Sequence, residues 1–230
     1  MKLPQGADPW HYVHAEVAAI SWRGASIAYP APGETAVVIG QGIIAAFAAR
    51  WLICLGAGVM VVDLEESRLK QALKWGALSA FNGREPDVRK KILNQCSGGV
   101  DIVVEASSSI SGVKLAGSIL RQPAPRILNE NYPIADMHTN AHLWPRLVLL
   151  ATYSQTLDTG PGGLFNVEGA VVLKPMDRTT GDRQEVVERI RSGDLPISDI
   201  LKAPVPVEDA PAAYAQLRDN PSQQTALAFH

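Results

Sequence analysis

The stretch VVIGQGIIAAFAARW, Val37 to Trp51, sets two glycines between a short β-branched run and an alanine-rich helical pattern. Gly40, Gly42 and Ala45 fit the spacing G-x-G-x-x-A. Each position has a physical reason. Gly40 permits a tight turn, Gly42 leaves the backbone open to a pyrophosphate, and Ala45 lets the helix pack closely on the sheet. Amide groups at the helix start, from Gln41 through Ile43 and Ile44, would receive the phosphates. Asp63 ends the next apolar run, VMVVDL, about 20 residues on, where the dinucleotide fingerprint needs a carboxylate for the ribose hydroxyls. A carboxylate there repels a 2′-phosphate, so the expected coenzyme is NAD(H) rather than NADP(H), with Leu64 beside it at the same strand end.

Working outward, strands and helices alternate. Strands are expected at Thr35–Gly40, Val59–Leu64, Val100–Ala106, Pro125–Asn129, Arg146–Tyr153 and Gly169–Pro175, with helices at Ile43–Leu55, Glu65–Gly76 and 112–121 among the first five. Apolar strands that alternate with helices predict an α/β fold, a Rossmann-type doubly wound parallel sheet covered on both faces. Later helices are expected over 179–193 and 206–220, with a terminal strand at 225–230. The expected division is a helical lead-in over 1–32, a coenzyme domain over 33–200, and a helix and strand over 201–230.

The composition is that of an ordinary globular chain: 230 residues, 47% hydrophobic, 19% charged, formal net charge −2. So mild a balance gives no electrostatic reason to expect nucleic acid or an anionic membrane. Two cysteines, Cys54 and Cys96, are too few for a disulfide framework or a multi-cysteine zinc site. Cys54 is expected to face the sheet as a small hydrophobe, and Cys96 to be an inert surface or loop residue. The opening MKLPQGADPW does not read as a signal peptide, and the longest apolar run is broken by Arg50 and two glycines. A cytoplasmic location is expected.

The run from Gly33 to Ala77, followed by GGVDIVVEASSS, resembles the coenzyme domain of medium-chain dehydrogenases, in the zinc-type alcohol, polyol and threonine branch. The tail APVPVEDAPAAYAQL is similar to that family's C-terminal segment. The resemblance implies that Arg68 also contacts the adenosine ribose, that Ala106 and Ser107 flank the adenine side, and that Asn129 and the end of LLATYS lie near the nicotinamide. It also implies dimerisation, since Arg146–Thr156 resembles the strand through which members join as homodimers. The opening LPQGADPW resembles the junction with the family's GroES-like domain. The cysteine, the histidine–glutamate pair and the four-cysteine lobe expected of that domain do not occur here, so the substrate half and a bound zinc are not expected.

WHYVHAEVAAI, Trp10 to Ile20, holds the further candidates. Glu16 matches a glutamate that can ligate zinc in the polyol branch, although Val17 stands where the family has proline. His11 and His14, three apart, would share one helical face. The cluster reads either as a solvated or interface helix, as an acid/base group, or as a metal site. Met137–His142, with two histidines, is expected to be a loop or capping helix, and Tyr132 and Tyr153 follow strand ends. These features point to an NAD(H)-dependent, zinc-independent oxidoreductase acting on a small secondary alcohol or ketone, with His14, His11, Glu16 and Tyr153 as the groups that stabilise the alkoxide. A non-redox enzyme, an NAD(H)-binding sensor or subunit, and a piece of a longer dehydrogenase are the alternatives.

Overall fold

The computed structural model describes residues 3–123, 137–157, 169–195, 200, 204–219 and 224–229. Its main sheet is built from β1 (Thr35–Ile39), β2 (Gly58–Asp63), β3 (Ser79–Asn82), β4 (Ile102–Glu105), β5 (Arg146–Leu149) and β6 (Val171–Leu173). All pairings are parallel and the order is β3-β2-β1-β4-β5-β6. This is the doubly wound order in which the chain reverses direction beside β1, between β1 and β4. The expected α/β Rossmann-type fold is therefore the observed one. The helices around it are α1 (Ala15–Ser26), α2 (Ile43–Cys54), α3 (Glu66–Lys74), α4 (Val88–Leu93), α5 (Ile110–Ile119) and the short α6 (Met137–Asn140).

The four inner strands, β1, β2, β4 and β5, are buried at nearly every position, as strands covered on both faces must be. One core cluster runs through Val37, Met60, Ile92, Val103, Ile119 and Leu147. Arg50 is buried within α2 but stacks its guanidinium 4.1 Å from the ring centre of Trp75, which explains how the helix carries a charge inside an apolar run. No described helix is long and apolar enough to cross a membrane.

Packing divides the chain into two compact units, Ile20–Arg178 and Met1–Ala19 with Thr179–His230. The second contains α7 (Thr180–Ser192), α8 (Ala210–Asp219) and a two-stranded pairing of β7 (Val205–Pro206) with β8 (Leu227–Ala228). Helix α7 opens with a capping box, in which Thr179 and Asp182 satisfy each other's backbone N–H, and stops at Gly193 with φ +83°.

Several expectations are corrected. The segment Arg146–Thr156 is not a free edge: β5 is hydrogen-bonded to β4 on one side and β6 on the other, and all four of its residues are buried. Among the described residues the edge on that flank is β6. Strand β3 and helix α4 are additions to the expected elements; SAFN is short and half-polar, as an outer strand can be. Cys54 is exposed, because it falls on the outward side of the last turn of α2, and Cys96 is buried in the core cluster, where burial pushes its thiol up. The expected strand Pro125–Asn129 lies outside the described residues, with Asn129 and Tyr132.

Candidate functional site

The glycine turn leaves β1 and enters α2. Gly40 has φ +90°, and a Cβ built there would lie 3.0 Å from the Ser107 nitrogen and 3.1 Å from the Ala106 carbonyl carbon. Glycine is therefore demanded twice, by the dihedral angle and by the neighbouring backbone. Gly42 is different. It sits at the N-cap of α2 with an ordinary negative φ of −63°, and a Cβ there would meet nothing within 4 Å. No packing reason within the described residues asks for glycine at this position, while a ligand that lies against the backbone would. Ala45 is 1% exposed, as the close helix–sheet contact requires.

Asp63, at the end of β2, is buried and faces the turn. Its Oδ2 accepts the Gln41 backbone N–H at 2.5 Å and its Oδ1 accepts the Glu65 backbone N–H at 2.8 Å. Arg68, one helical turn into α3, brings Nη1 to 3.8 Å from the same carboxylate. Leu64 is half-exposed beside them. The Gln41 side chain, 4% exposed, donates Nε2 to the Gly40 carbonyl at 2.6 Å and leaves its Oε1 with no partner among the described residues. A buried amide oxygen without a donor is a feature that a bound ligand can satisfy. Gly40, Gln41, Gly42, Asp63, Arg68, Ala106 and Ser107 thus lie around the C-terminal mouth of β1, β2 and β4, the position at which doubly wound sheets hold ligands. Ile43 and Ile44 form the first turn of α2 and are half-buried.

On the other side of the turn stands a feature that sequence reading missed. Glu105, the last residue of β4, is fully buried. Its Oε1 accepts the Ser107 N–H at 2.9 Å and the Ser107 hydroxyl, and its Oε2 accepts the Tyr153 hydroxyl. Burial first, and then the hydrogen bond to Glu105, push the Tyr153 phenol well above its usual range, so Tyr153 is held neutral. The signal available in the sequence was a lone Glu ending the apolar run VDIVVE, which alternation alone cannot mark as functional.

The N-terminal candidates belong to the other packing unit. His11 lies in a 3-10 turn, Pro9–Tyr12, while α1 begins only at Ala15. His11 and His14 therefore do not share one helical face, which corrects the expected alignment. The break follows from Asp8, whose side chain caps the Trp10 N–H at 2.9 Å and starts a separate turn at Pro9. The His14 carbonyl takes the first helical bond of α1, from Ala18 N–H at 2.8 Å, and burial lowers the His14 imidazole pKa. Glu16 forms a two-pronged ion pair with Arg183 of α7 at 2.9 and 3.0 Å. Its two oxygens are thus occupied by a guanidinium. Among the described residues no three His, Cys, Asp or Glu side chains converge as a metal set, so these residues do not fit a zinc ion. In the sheet-bearing unit, His142 is exposed in a 3-10 turn, and the side chain of His138 lies outside the described set.

Comparison with known proteins agrees with this geometry. A family model described as zinc-binding dehydrogenase matches residues 26–123. An uncharacterized zinc-type alcohol dehydrogenase-like protein of Escherichia coli is 27% identical over 215 residues, which cover 86% of this chain and 60% of the relative. Among solved structures, an alcohol dehydrogenase from Thermus sp. ATN1 superposes with TM-score 0.79 at 19% identity, over 100% of this chain and 61% of that one. A structure from Sinorhizobium meliloti bound to NADP superposes with TM-score 0.76 at 18% identity, over 99% of this chain and 60% of that one. The chain thus spans about three-fifths of the length of these proteins. Over residues 26–123, therefore, the chain is similar to the zinc-binding dehydrogenase family.

Proposed function

We propose that this chain binds NAD(H) at the mouth of β1, β2 and β4 and serves an oxidoreductase of the medium-chain dehydrogenase type acting on a small secondary alcohol or ketone. One observation carries the reading: Gly42 is glycine where nothing in the described fold requires it, at the N-terminus of a 12-residue helix, opposite a buried Asp63. Amide groups at such a helix end favour phosphate, and the carboxylate favours a ribose with both hydroxyls free. The coenzyme would supply hydride transfer. The chain's own residues would bind its phosphates at Gly40 to Ile44 and its adenosine ribose at Asp63 with Leu64 and Arg68 beside it, with Ala106 and Ser107 flanking its adenine side. Asn129, which lies outside the described residues, is proposed for the nicotinamide end.

The proposed chemistry is zinc-independent as far as this chain's residues go; Glu16, matched to a zinc-ligating glutamate of the polyol branch, is held by Arg183 instead. The acid/base role expected of His11, His14 and Glu16 carries over in narrower form. Glu16 is engaged by Arg183, and burial disfavours the charged form of His14. The division into a lead-in over 1–32, a coenzyme domain over 33–200 and a tail over 201–230 is kept as part of this proposal, as is a cytoplasmic location. A homodimer is also proposed, now through β6, whose central residue Val172 is 43% exposed.

The test is a fluorescence titration of the purified chain with NADH and NADPH. Saturable NADH binding that is tighter than NADPH binding is expected; failure to bind either nucleotide at millimolar concentration overturns the reading. Turnover of a secondary alcohol panel, followed at the NADH absorbance band, then separates an enzyme from a coenzyme-binding subunit.

A further inference from the structure

Glu105 is a carboxylate placed where burial is costly, with no Lys or Arg paired to it among the described residues. Three donors hold it instead: the Ser107 N–H, the Ser107 hydroxyl and the Tyr153 hydroxyl. A fold keeps a buried charge only when its oxygens are satisfied, and such a network is rigid because each lost donor exposes the desolvation cost. The surroundings are shaped to it. A Cβ at Gly112 would lie 2.6 Å from Glu105 Oε1, so α5 must pass at glycine distance. Ser109 caps the same helix through Gly112 N–H at 2.9 Å while its hydroxyl sits 2.8 Å from that of Ser107. Between them Ser108 is held at φ +60°, a conformation that a non-glycine residue keeps only when its neighbours enforce it.

The two arms of Glu105 end at different places along the mouth of the sheet. One ends at Ser107, whose backbone nitrogen presses against Gly40 and so fixes the wall of the glycine turn. The other ends at Tyr153, four residues beyond the end of β5. Asp63 lies on the opposite side of β1, at the end of β2. A dinucleotide whose ribose is at Asp63 and whose phosphates are at Gly40 must therefore extend its second half over β4 and β5, toward Tyr153. The Tyr153 hydroxyl has given its hydrogen to Glu105, so it offers only lone pairs to anything above it.

We propose that Glu105 is a positioning residue for the coenzyme, fixing the Ser107 wall of the phosphate turn with one oxygen and the Tyr153 hydroxyl under the nicotinamide half with the other. The proposal rests on the coenzyme reading above. It predicts that the two arms can be told apart by ligands of different length. ADP-ribose contains the adenosine, both phosphates and the second ribose but no nicotinamide, so it probes the Ser107 arm alone.

The experiment measures NADH and ADP-ribose affinity by fluorescence and calorimetry, with thermal melting alongside, for wild type, Glu105→Gln, Tyr153→Phe, Ser107→Ala and the Glu105→Gln/Tyr153→Phe double variant. Tyr153→Phe should weaken NADH by about threefold to tenfold and leave ADP-ribose unchanged, the range for a single hydrogen bond. Glu105→Gln should weaken NADH by about tenfold or more and ADP-ribose by less, and the double variant should bind no worse than Glu105→Gln. A general loosening of the fold would lower melting temperature and weaken both ligands by one common factor. That outcome, or wild-type NADH affinity in Glu105→Gln, overturns the proposal while the coenzyme reading stands. No nucleotide binding by the wild type overturns both. If Glu105→Gln does not fold, Tyr153→Phe and Ser107→Ala decide: unchanged NADH affinity in both refutes the positioning role.

Discussion

Asp63 Oδ2 accepts the backbone N–H of Gln41 at 2.5 Å, so the residue that ends β2 is bonded directly to the turn that follows β1. The same carboxylate starts α3 by accepting Glu65 N–H at 2.8 Å. One side chain thus sets the spacing between the turn after β1 and the start of α3, where the phosphates and the ribose are proposed to lie.

Replacing Asp63 by Ala should weaken NADH binding by about 1–3 kcal/mol, the scale of hydrogen bonds to a charged group. The preference for NADH over NADPH should shrink in the variant, because the like charge that disfavours a 2′-phosphate is gone. Titration of both nucleotides against both proteins checks this. Tighter binding of NADPH by the wild type would show that Arg68, not Asp63, governs the ribose.

Asp101 gives a dependence on acid. Burial alone would raise its pKa, but hydrogen bonds from the Thr35 N–H and hydroxyl, together with Arg121, hold it below its ordinary value of 3.8. A depressed carboxylate stabilises the fold above its unfolded pKa, and that stability is lost as pH falls through the folded pKa. Asp101→Asn should cost about 1–3 kcal/mol at pH 7. The gap between wild type and variant should narrow below pH 3.8, as wild-type Asp101 takes up its proton. Urea unfolding at a series of pH values measures it; a gap independent of pH would refute the assignment.

Arg146 and Glu34 form an ion pair in which the arginine side chain is fully buried. Arg146 also donates to the Ala28 carbonyl at 3.2 Å. Glu34→Gln should therefore destabilise the sheet by about 3–5 kcal/mol, since it strands a charge inside the protein. The double change Glu34→Gln/Arg146→Met should recover part of that loss, which chemical denaturation can show.

The oligomer prediction moves with the topology. Leu149 is 7% exposed in an inner strand, so a lysine there should unfold the protein and reports nothing on assembly. Val172→Lys on β6 should leave the melting temperature close to wild type and convert a dimer to monomer in light scattering. A wild-type monomer at micromolar concentration would end the dimer proposal.

The sequence is most legible where chemistry and backbone geometry demand the same residue. Gly40, Gly42 and Asp63 are readable because a left-handed turn, an open helix end and the carboxylate proposed for the ribose each tolerate few residue types. The inner strands are readable because burial on both faces leaves uninterrupted β-branched runs such as Thr35–Ile39. β3 is lost because an outer strand of four residues with two half-buried polar ends carries no such run. The position of β5 is misread because an apolar strand looks alike at an edge and inside a sheet; only its pairing with β4 and β6 decides. Glu105 escapes because its meaning depends on Tyr153, 48 residues away, and no local pattern joins them.

The strand order also governs how the chain must be assembled as it is made. β2 pairs with β1 through a short crossover, but the other side of β1 is filled only by β4, with Ala36 opposite Ile102. A growing chain therefore carries β1 with one open flank while the next several dozen residues are synthesised. Pairings of such long separation form late, and the exposed apolar flank invites association with other nascent chains. Expression of the chain truncated before Ile102 should yield aggregate rather than a half-sheet, because β1 then has no partner for its second flank.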